Sequence, residues 1–404
     1  MPIASNIKNA LASSSMIRKM FEEGLQLKKQ YGYDKVFDFS LGNPDVEPPA
    51  AFHSLFLKLA QDDEKGSHGY MPNAGYPFAR EAIAQKVCKE QNVKIDGSSI
   101  VMASGAAGGL NAVFKTICNP EDEVIVTRPY FMEYKHYTAN HGAKLIEADA
   151  LDNFDLDICA IKSALNEKTA AVIINSPNNP TGKIYSKEIL AQLAQTLSEH
   201  GKKTGRFPYL ISDEPYREIA YSKEVPPVLS IYSESIVVSS YSKSLSLPGE
   251  RIGFIAVNPA INDKDDIVNG LIYATRILGF VNAPALMQRI VSALTEEKVD
   301  VSIYAKRRDA FIKVLDNAGI EYASPEGAFY LFCKVPESKK QNASSNDVSC
   351  ADDKAFIEHL KKYLILGVPG SGFGKAGWVR FAYCADEKII TSSGSAFKKA
   401  VQEW

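Results

Sequence analysis

The chain has 404 residues with 46 basic and 48 acidic side chains, a net charge of −2. A single hydrophobic core stops growing at about 250–300 residues, so two cores on one polypeptide are expected. The near-neutral balance excludes the basic footprint of a nucleic-acid or anionic-lipid binder. Six scattered cysteines, with no CxxC pair and no clustered histidines, exclude a disulfide framework and a zinc site.

The first twenty residues hold no apolar run of signal-peptide length, and no stretch nears the roughly 18 apolar residues of a membrane span. With cysteines that suit a reducing compartment, a soluble cytoplasmic protein is expected. Residues 16–28 predict an amphipathic helix with Ile17, Met20, Phe21 and Leu25 on one face. Short apolar runs follow at 100–103, 123–127, 144–147, 170–175, 209–212, 235–239 and 253–257, interleaved with helical patterns such as 78–90, 108–117 and 186–200. That alternation predicts an α/β architecture, a mostly parallel sheet covered by helices, with ligands bound beyond the carboxyl ends of its strands. A long helical segment at 283–318 comes next, with Pro284 inside its first turn. Strand-like 329–333 and 379–383 then flank helical 354–363, which predicts a smaller α+β unit. The polar stretch 338–353 is expected to be a mobile surface excursion.

Four segments carry candidate chemistry. Ser240-Tyr-Ser-Lys243-Ser-Leu-Ser-Leu-Pro-Gly-Glu-Arg251-Ile-Gly253 directly follows an apolar run. A deprotonated lysine there can bond an aldehyde cofactor, and the arginine offers a two-pronged donor for a phosphate; a solvated turn is the plain alternative. Asn175-Ser-Pro-Asn-Asn179-Pro180-Thr181-Gly182 has strong turn chemistry, but a turn alone does not call for successive asparagines at a strand's carboxyl end. In Leu210-Ile-Ser-Asp213-Glu-Pro-Tyr216 an acid closes an apolar strand, a costly place unless it is a helix cap or is paired, as with a protonated pyridine nitrogen. Ala103-Ser104-Gly105-Ala106-Ala107-Gly108-Gly109-Leu110 places small residues between strand and helix, where amides and the helix dipole attract anions, although close packing alone explains such a turn.

In this order, the four segments resemble the class I/II aminotransferases, the aspartate-aminotransferase-like branch of the fold type I enzymes that use pyridoxal 5′-phosphate (PLP). Leu41-Gly42-Asn43-Pro44-Asp45, Tyr70-Met-Pro-Asn-Ala-Gly75, Pro129-Tyr130-Phe131, Gly327-Ala328-Phe329 and Trp378-Val379-Arg380-Phe381 extend the resemblance across nearly the whole chain. It implies the PLP-dependent transferase fold: a large domain at 51–290 with a mixed, mostly parallel seven-stranded sheet, and a small domain from 1–50 and 291–404 that includes an N-terminal arm. It also implies that Lys243 bonds PLP and shuttles a proton, that Asp213 pairs with the ring nitrogen, and that Tyr216 and Asn179 bond the ring oxygen. Phe131 and Pro215 would flank the ring. Gly105, Ala106, Ala107, Ser240 and Arg251 would hold the phosphate, and Tyr70 would reach the phosphate of a second copy in a homodimer. Arg380, assisted by Asn179 and the Gly42 backbone, would clamp the substrate carboxylate.

The implied activity moves an amino group from an L-amino acid to a 2-oxo acid, 2-oxoglutarate by default, in a ping-pong cycle. No nucleic acid, membrane or metal takes part. Two departures stand out: Ala107 replaces a hydroxyl or lysine common in the phosphate loop, and Val281, with Arg276 displaced by one position, leaves preference for acidic substrates open. The rival on the same scaffold is a carbon–sulfur lyase. A regulator fused to a DNA-binding module is disfavoured because no helix-turn-helix pattern precedes the domain.

Overall fold

The computed structural model describes residues 3–12, 16–62, 65–338 and 352–404. Its thirteen described strands are β1 (Phe37–Asp38), β2 (Ile100–Ala103), β3 (Glu123–Arg128), β4 (Lys144–Asp149), β5 (Thr169–Asn175), β6 (Tyr209–Asp213), β7 (Ser235–Ser240), β8 (Gly253–Val257), β9 (Tyr322–Ala323), β10 (Tyr330–Lys334), β11 (Ile365–Leu366), β12 (Val368–Pro369) and β13 (Trp378–Ala382).

All seven apolar runs enter one sheet, in the order β2-β8-β7-β6-β5-β3-β4. Only β8 runs against its neighbours, β2 and β7; the remaining pairings are parallel. Every residue of β2, β5 and β8 is buried, because helices cover both faces and such strands need apolar side chains on each. Val101, Ile173, Ile211 and Val238 face a layer that includes Leu110, Phe114 and Leu271, from helices Gly105–Ile117 and Lys264–Ile277. The alternate residues face the other way. Ile100 and Val237 pack with Ile83 and Ile290, and Val172 and Leu210 pack with Leu193 and Leu197 of helix Lys187–Thr204. That helix has a defined start and stop, Ser186 Oγ accepting from the Ile189 amide and Gly205 closing it at φ +78°.

The chain runs outward from β3 to β4, then returns past β3 to β5 and continues through β6 and β7. A crevice opens where the direction of winding reverses. The loops after β3, β5, β6 and β7 all leave the sheet along that edge, and because β8 is antiparallel its entry point lies there too.

A second, four-stranded antiparallel sheet has the order β12-β13-β10-β9, and β1 pairs in parallel with β11. Phe39 packs 4.5 Å, centroid to centroid, from Phe311 of helix Val301–Ala318 and shares one core with Phe381 and Phe397. The N-terminal region thus folds against C-terminal elements. Helix Met16–Tyr31 contains the predicted 16–28 stretch, with Met20 buried but Leu25 exposed.

The segment predicted as one helical stretch at 283–318 is two helices, Ala285–Ala293 and Val301–Ala318. The Val299 amide donates to the Ser244 carbonyl at 2.8 Å, so it is lost to a continuous helix. Asp300 then accepts from the Ser302 amide and starts the second helix. The 108–117 helix begins earlier, at Gly105, which puts Ala106 and Ala107 in its first turn. Of the polar excursion at 338–353, residues 339–351 lie outside the described residues.

Candidate active site

One cavity of about 250 Å³ opens at the crevice. Gly42, Ala106, Ala107, Phe131, Asn179, Asp213, Pro215, Tyr216, Ser240, Lys243, Arg251 and Arg380 all line it. They come from seven separate stretches of chain, and the strand ends account for most of the convergence.

Lys243 lies in the short helix Tyr241–Ser244 that leaves β7. Its amine donates to the Gly42 carbonyl at 2.8 Å and sits 5.3 Å from the Phe329 ring centroid and 5.9 Å from that of Tyr216. Burial among these groups disfavours the charged amine, and Arg380 and Arg251 repel it further, so its pKa falls from 10.5 to about 8. A substantial fraction of the amine is therefore neutral near physiological pH, as a nucleophile must be.

Asp213 ends β6 and is buried. Its Oδ2 accepts from the Tyr134 hydroxyl at 2.6 Å, whereas Oδ1 has no partner among the described residues. Burial pushes the carboxyl up to about 7 against the pull of the Tyr134 hydrogen bond, and the neighbouring Glu214 adds to the rise. It caps no helix: the acid closes its strand facing an uncompensated direction. Asn175 ties the two neighbouring loops together, donating to the Asp213 carbonyl at 2.8 Å and accepting from the Asn179 amide at 2.7 Å.

Arg380 enters from the other sheet, on β13, and is 2% exposed. It donates to neutral oxygens, Asn179 Oδ1 at 3.0 Å and the Ser40 carbonyl at 2.7 Å, and its Nε has no partner among the described residues. The guanidinium lies 4.5 Å from the Tyr330 ring centroid and 4.8 Å from that of Phe373. A buried cation in such a setting is suited to an incoming carboxylate.

Helix Gly105–Ile117 presents its N-terminus to the cavity, and its N-cap Ser104 makes no side-chain capping bond. Its positive end is completed by the Arg251 guanidinium and by Ser240, the last residue of β7. The fit is tight. Gly105 has φ +70°, and a Cβ there would stand 2.6 Å from Arg251 Nη2. Gly105→Ala is therefore expected to weaken inorganic phosphate binding about tenfold through strain and displacement of Arg251. Calorimetric titration checks this, and unchanged affinity would show that the contact does not matter.

The family described as Aminotransferase class I and II matches residues 34–391. The chain belongs to this family. It is 30% identical to the probable aspartate/prephenate aminotransferase of Aquifex aeolicus over 91% of both chains, and 28% identical to the aspartate aminotransferase of Bacillus subtilis over 93% of both. Among solved structures, an aminotransferase from Eubacterium rectale superposes with a TM-score of 0.93 at 36% identity over the whole of both chains. The Thermus thermophilus aspartate aminotransferase with maleate does so at 0.84 and 25% identity, covering 99% of this chain and all of that one. These likenesses identify the enzyme as an aspartate-aminotransferase-like transaminase and favour that chemistry over carbon–sulfur lysis.

In this aminotransferase the predicted Gly105 abuts Arg251 without lining the cavity, while the predicted Tyr70, and Arg276 whose role the sequence leaves open, stand apart from it. Tyr70 is 95% exposed. Its loop is tied to the segment carrying Val281: Asn73 donates to the Val281 carbonyl at 3.0 Å, and Asn282 to the Pro72 carbonyl at 3.0 Å. Arg276 is also exposed, stacked 5.2 Å from the Tyr273 ring. Three tyrosines that sequence reasoning passed over do belong to the site, Tyr137 as one of its lining residues. Tyr330 immediately follows Gly327-Ala328-Phe329; it lines the cavity, and its hydroxyl lies 2.8 Å from that of Tyr216. A Cβ on Gly42 would overlap that hydroxyl, which accounts for the glycine. Tyr134 follows Phe131 by one helical turn, a spacing that puts both on the same side of helix Glu133–Ala139 and its entry.

Proposed function

We propose that this transaminase is PLP-dependent and moves an amino group between an L-amino acid and a 2-oxo acid, with aspartate and 2-oxoglutarate as the expected pair. The observation that carries the reading is four complementary groups lining one cavity: a cationic helix end with Arg251, a neutral-tending amine at Lys243, an open carboxylate oxygen at Asp213 and a buried guanidinium at Arg380. A phosphate, an aldehyde, a protonated ring nitrogen and a substrate carboxylate are their respective counterparts. When bound, PLP supplies an aldehyde that captures amines and a ring that draws electrons from the substrate Cα.

The chain does the rest. The first-turn amides of Ala106 and Ala107, with Ser240 and Arg251, hold the phosphate. Asp213 keeps the ring nitrogen protonated, and Tyr216 and Asn179 bond the ring oxygen. Phe131 and Pro215 confine the ring, Arg380 fixes the α-carboxylate, and Lys243 moves the proton at the substrate Cα. The aspartate preference is supported by the names of the relatives rather than by a side-chain subsite within one chain. Exposed Tyr70 and Arg276, on adjoining segments, support a homodimer in which each copy completes the other's site.

The large unit is taken as 51–290 and the small one as 1–50 with 291–404, supported by Phe39 packing into the C-terminal core. Cytoplasmic residence is supported by the five described cysteines, all free. Among the described residues no helix is long and apolar enough to cross a membrane.

The test is optical. Apo-protein mixed with PLP should develop a visible absorption band, aspartate should bleach it, and 2-oxoglutarate should restore it. Pyruvate released from cysteine or cystathionine with no acceptor would replace transamination with lysis. Because Lys243 must lose its proton before it attacks, the rate of PLP capture should rise with pH to a midpoint near 8. A midpoint at the ordinary lysine value of 10.5 would remove the role given to burial.

A further inference from the structure

Asp213 has two carboxylate oxygens with different surroundings. Oδ2 accepts the Tyr134 hydroxyl at 2.6 Å, and Oδ1 has no partner among the described residues although its side chain lines the cavity. Tyr134 is 1% exposed, and its backbone is fixed: its amide donates to the Phe131 carbonyl at 3.1 Å, and its carbonyl accepts from Thr138 Oγ1 at 3.0 Å. Its ring stands edge-on to Phe131, with centroids 5.6 Å apart and planes at 86°. The backbone of Asp213 is held separately by Asn175. A carboxylate is planar, so fixing its backbone and one oxygen fixes where the other points.

We propose that Tyr134 is a positioning residue of the transaminase: it clamps Asp213 Oδ2 so that Oδ1 meets the protonated ring nitrogen of PLP. The inference rests on the PLP reading above and adds a residue to it. Two influences oppose an ionised Asp213, its burial and the carboxylate of Glu214, and the hydroxyl of Tyr134 is the hydrogen-bond donor that favours the anion. A neutral acid would offer the ring nitrogen no charge. A phenol donating to a buried carboxylate is also a charge-assisted bond, short and directional, which suits it to orienting its acceptor.

Tyr134→Phe keeps the ring and its packing and removes only the donor. Apoenzyme would be titrated with PLP and with its 1-deaza analogue, in which a C–H replaces the ring nitrogen. The expected result is that PLP affinity falls about tenfold while affinity for the analogue stays within about twofold. Equal losses for both ligands, or a loss tracking a fall in the thermal midpoint, would mean that the hydroxyl serves the fold, and would overturn the proposal. No loss for either would overturn it as well. A second variant, Tyr134→His, returns an N–H donor and should recover part of the preference for PLP over the analogue. If the phenylalanine variant does not fold, absence of that preference in the histidine variant overturns the proposal. Failure of the underlying reading looks different: wild-type protein would then form no Lys243-dependent band with PLP.

Discussion

Lys243→Ala is expected to slow the amino-acid half-reaction by about four orders of magnitude or more while leaving the fold intact. Among the described residues Lys243 is the only primary amine lining the cavity, so no described neighbour can take over either the bond to an aldehyde or the proton at Cα. Loss of a positioned acid–base group alone costs about 10²–10⁴ in rate, and loss of a covalent route adds to that. The side chain is buried but its amine bonds only one backbone carbonyl, that of Gly42. Its removal therefore strands a single acceptor and should leave thermal unfolding nearly unchanged. Stopped-flow absorbance with aspartate measures the rate, and a small amine such as methylamine should restore part of it. A variant retaining even a tenth of the wild-type rate would move the chemistry to another residue.

The second large effect is at Arg380. Replacing it with leucine should lower kcat/KM for amino acids by about 10²–10³, equivalent to roughly 3–4 kcal/mol. Reaction with a primary amine that lacks a carboxylate should change little. Arg380→Lys should be nearly as impaired, because a lysine ammonium cannot reproduce a planar two-pronged donor stacked between Tyr330 and Phe373. The guanidinium is buried against neutral oxygens, so its removal should not unfold the protein and can even stabilise it. A calorimetric scan beside the kinetics separates these effects. Equal losses on both classes of substrate would show that Arg380 shapes the site without reading the carboxylate.

The large sheet was legible because strands buried on both faces are continuous apolar runs, and a polar residue at the carboxyl end of such a run stands out. Asp213 and Asn175 are cases of that contrast, and Lys243 follows within three residues of β7. The smaller sheets were less legible. β1, β9, β11 and β12 are two residues each, too short for any alternation to register, and they exist because distant segments meet. Tyr134 and Tyr330 were missed for a different reason. Tyr330 lies in an apolar strand, where an aromatic reads as core, and Tyr134 in a short helix rich in polar residues, where it reads as surface; only the hydroxyl's partner marks either one. The break between Ala293 and Val301 depends on the Ser244 carbonyl, a contact invisible along the chain. Tyr70 was singled out by its motif, yet it is exposed and does not line the cavity.

Ser240 and Gly253 are register partners on β7 and β8. The chain that carries Lys243 and Arg251 therefore leaves the sheet and returns to it on the same rung. Its length is set at both ends by the ladder, and the amine and the guanidinium are separated by a fixed span within it. One inserted or deleted residue would move one of them and not the other, with no sliding of strands to absorb the change. Segment 241–252 is thus heritable only as a block. Descendants of this chain can exchange side chains within it, but divergence in length has to be sought in loops that do not start and finish on one rung.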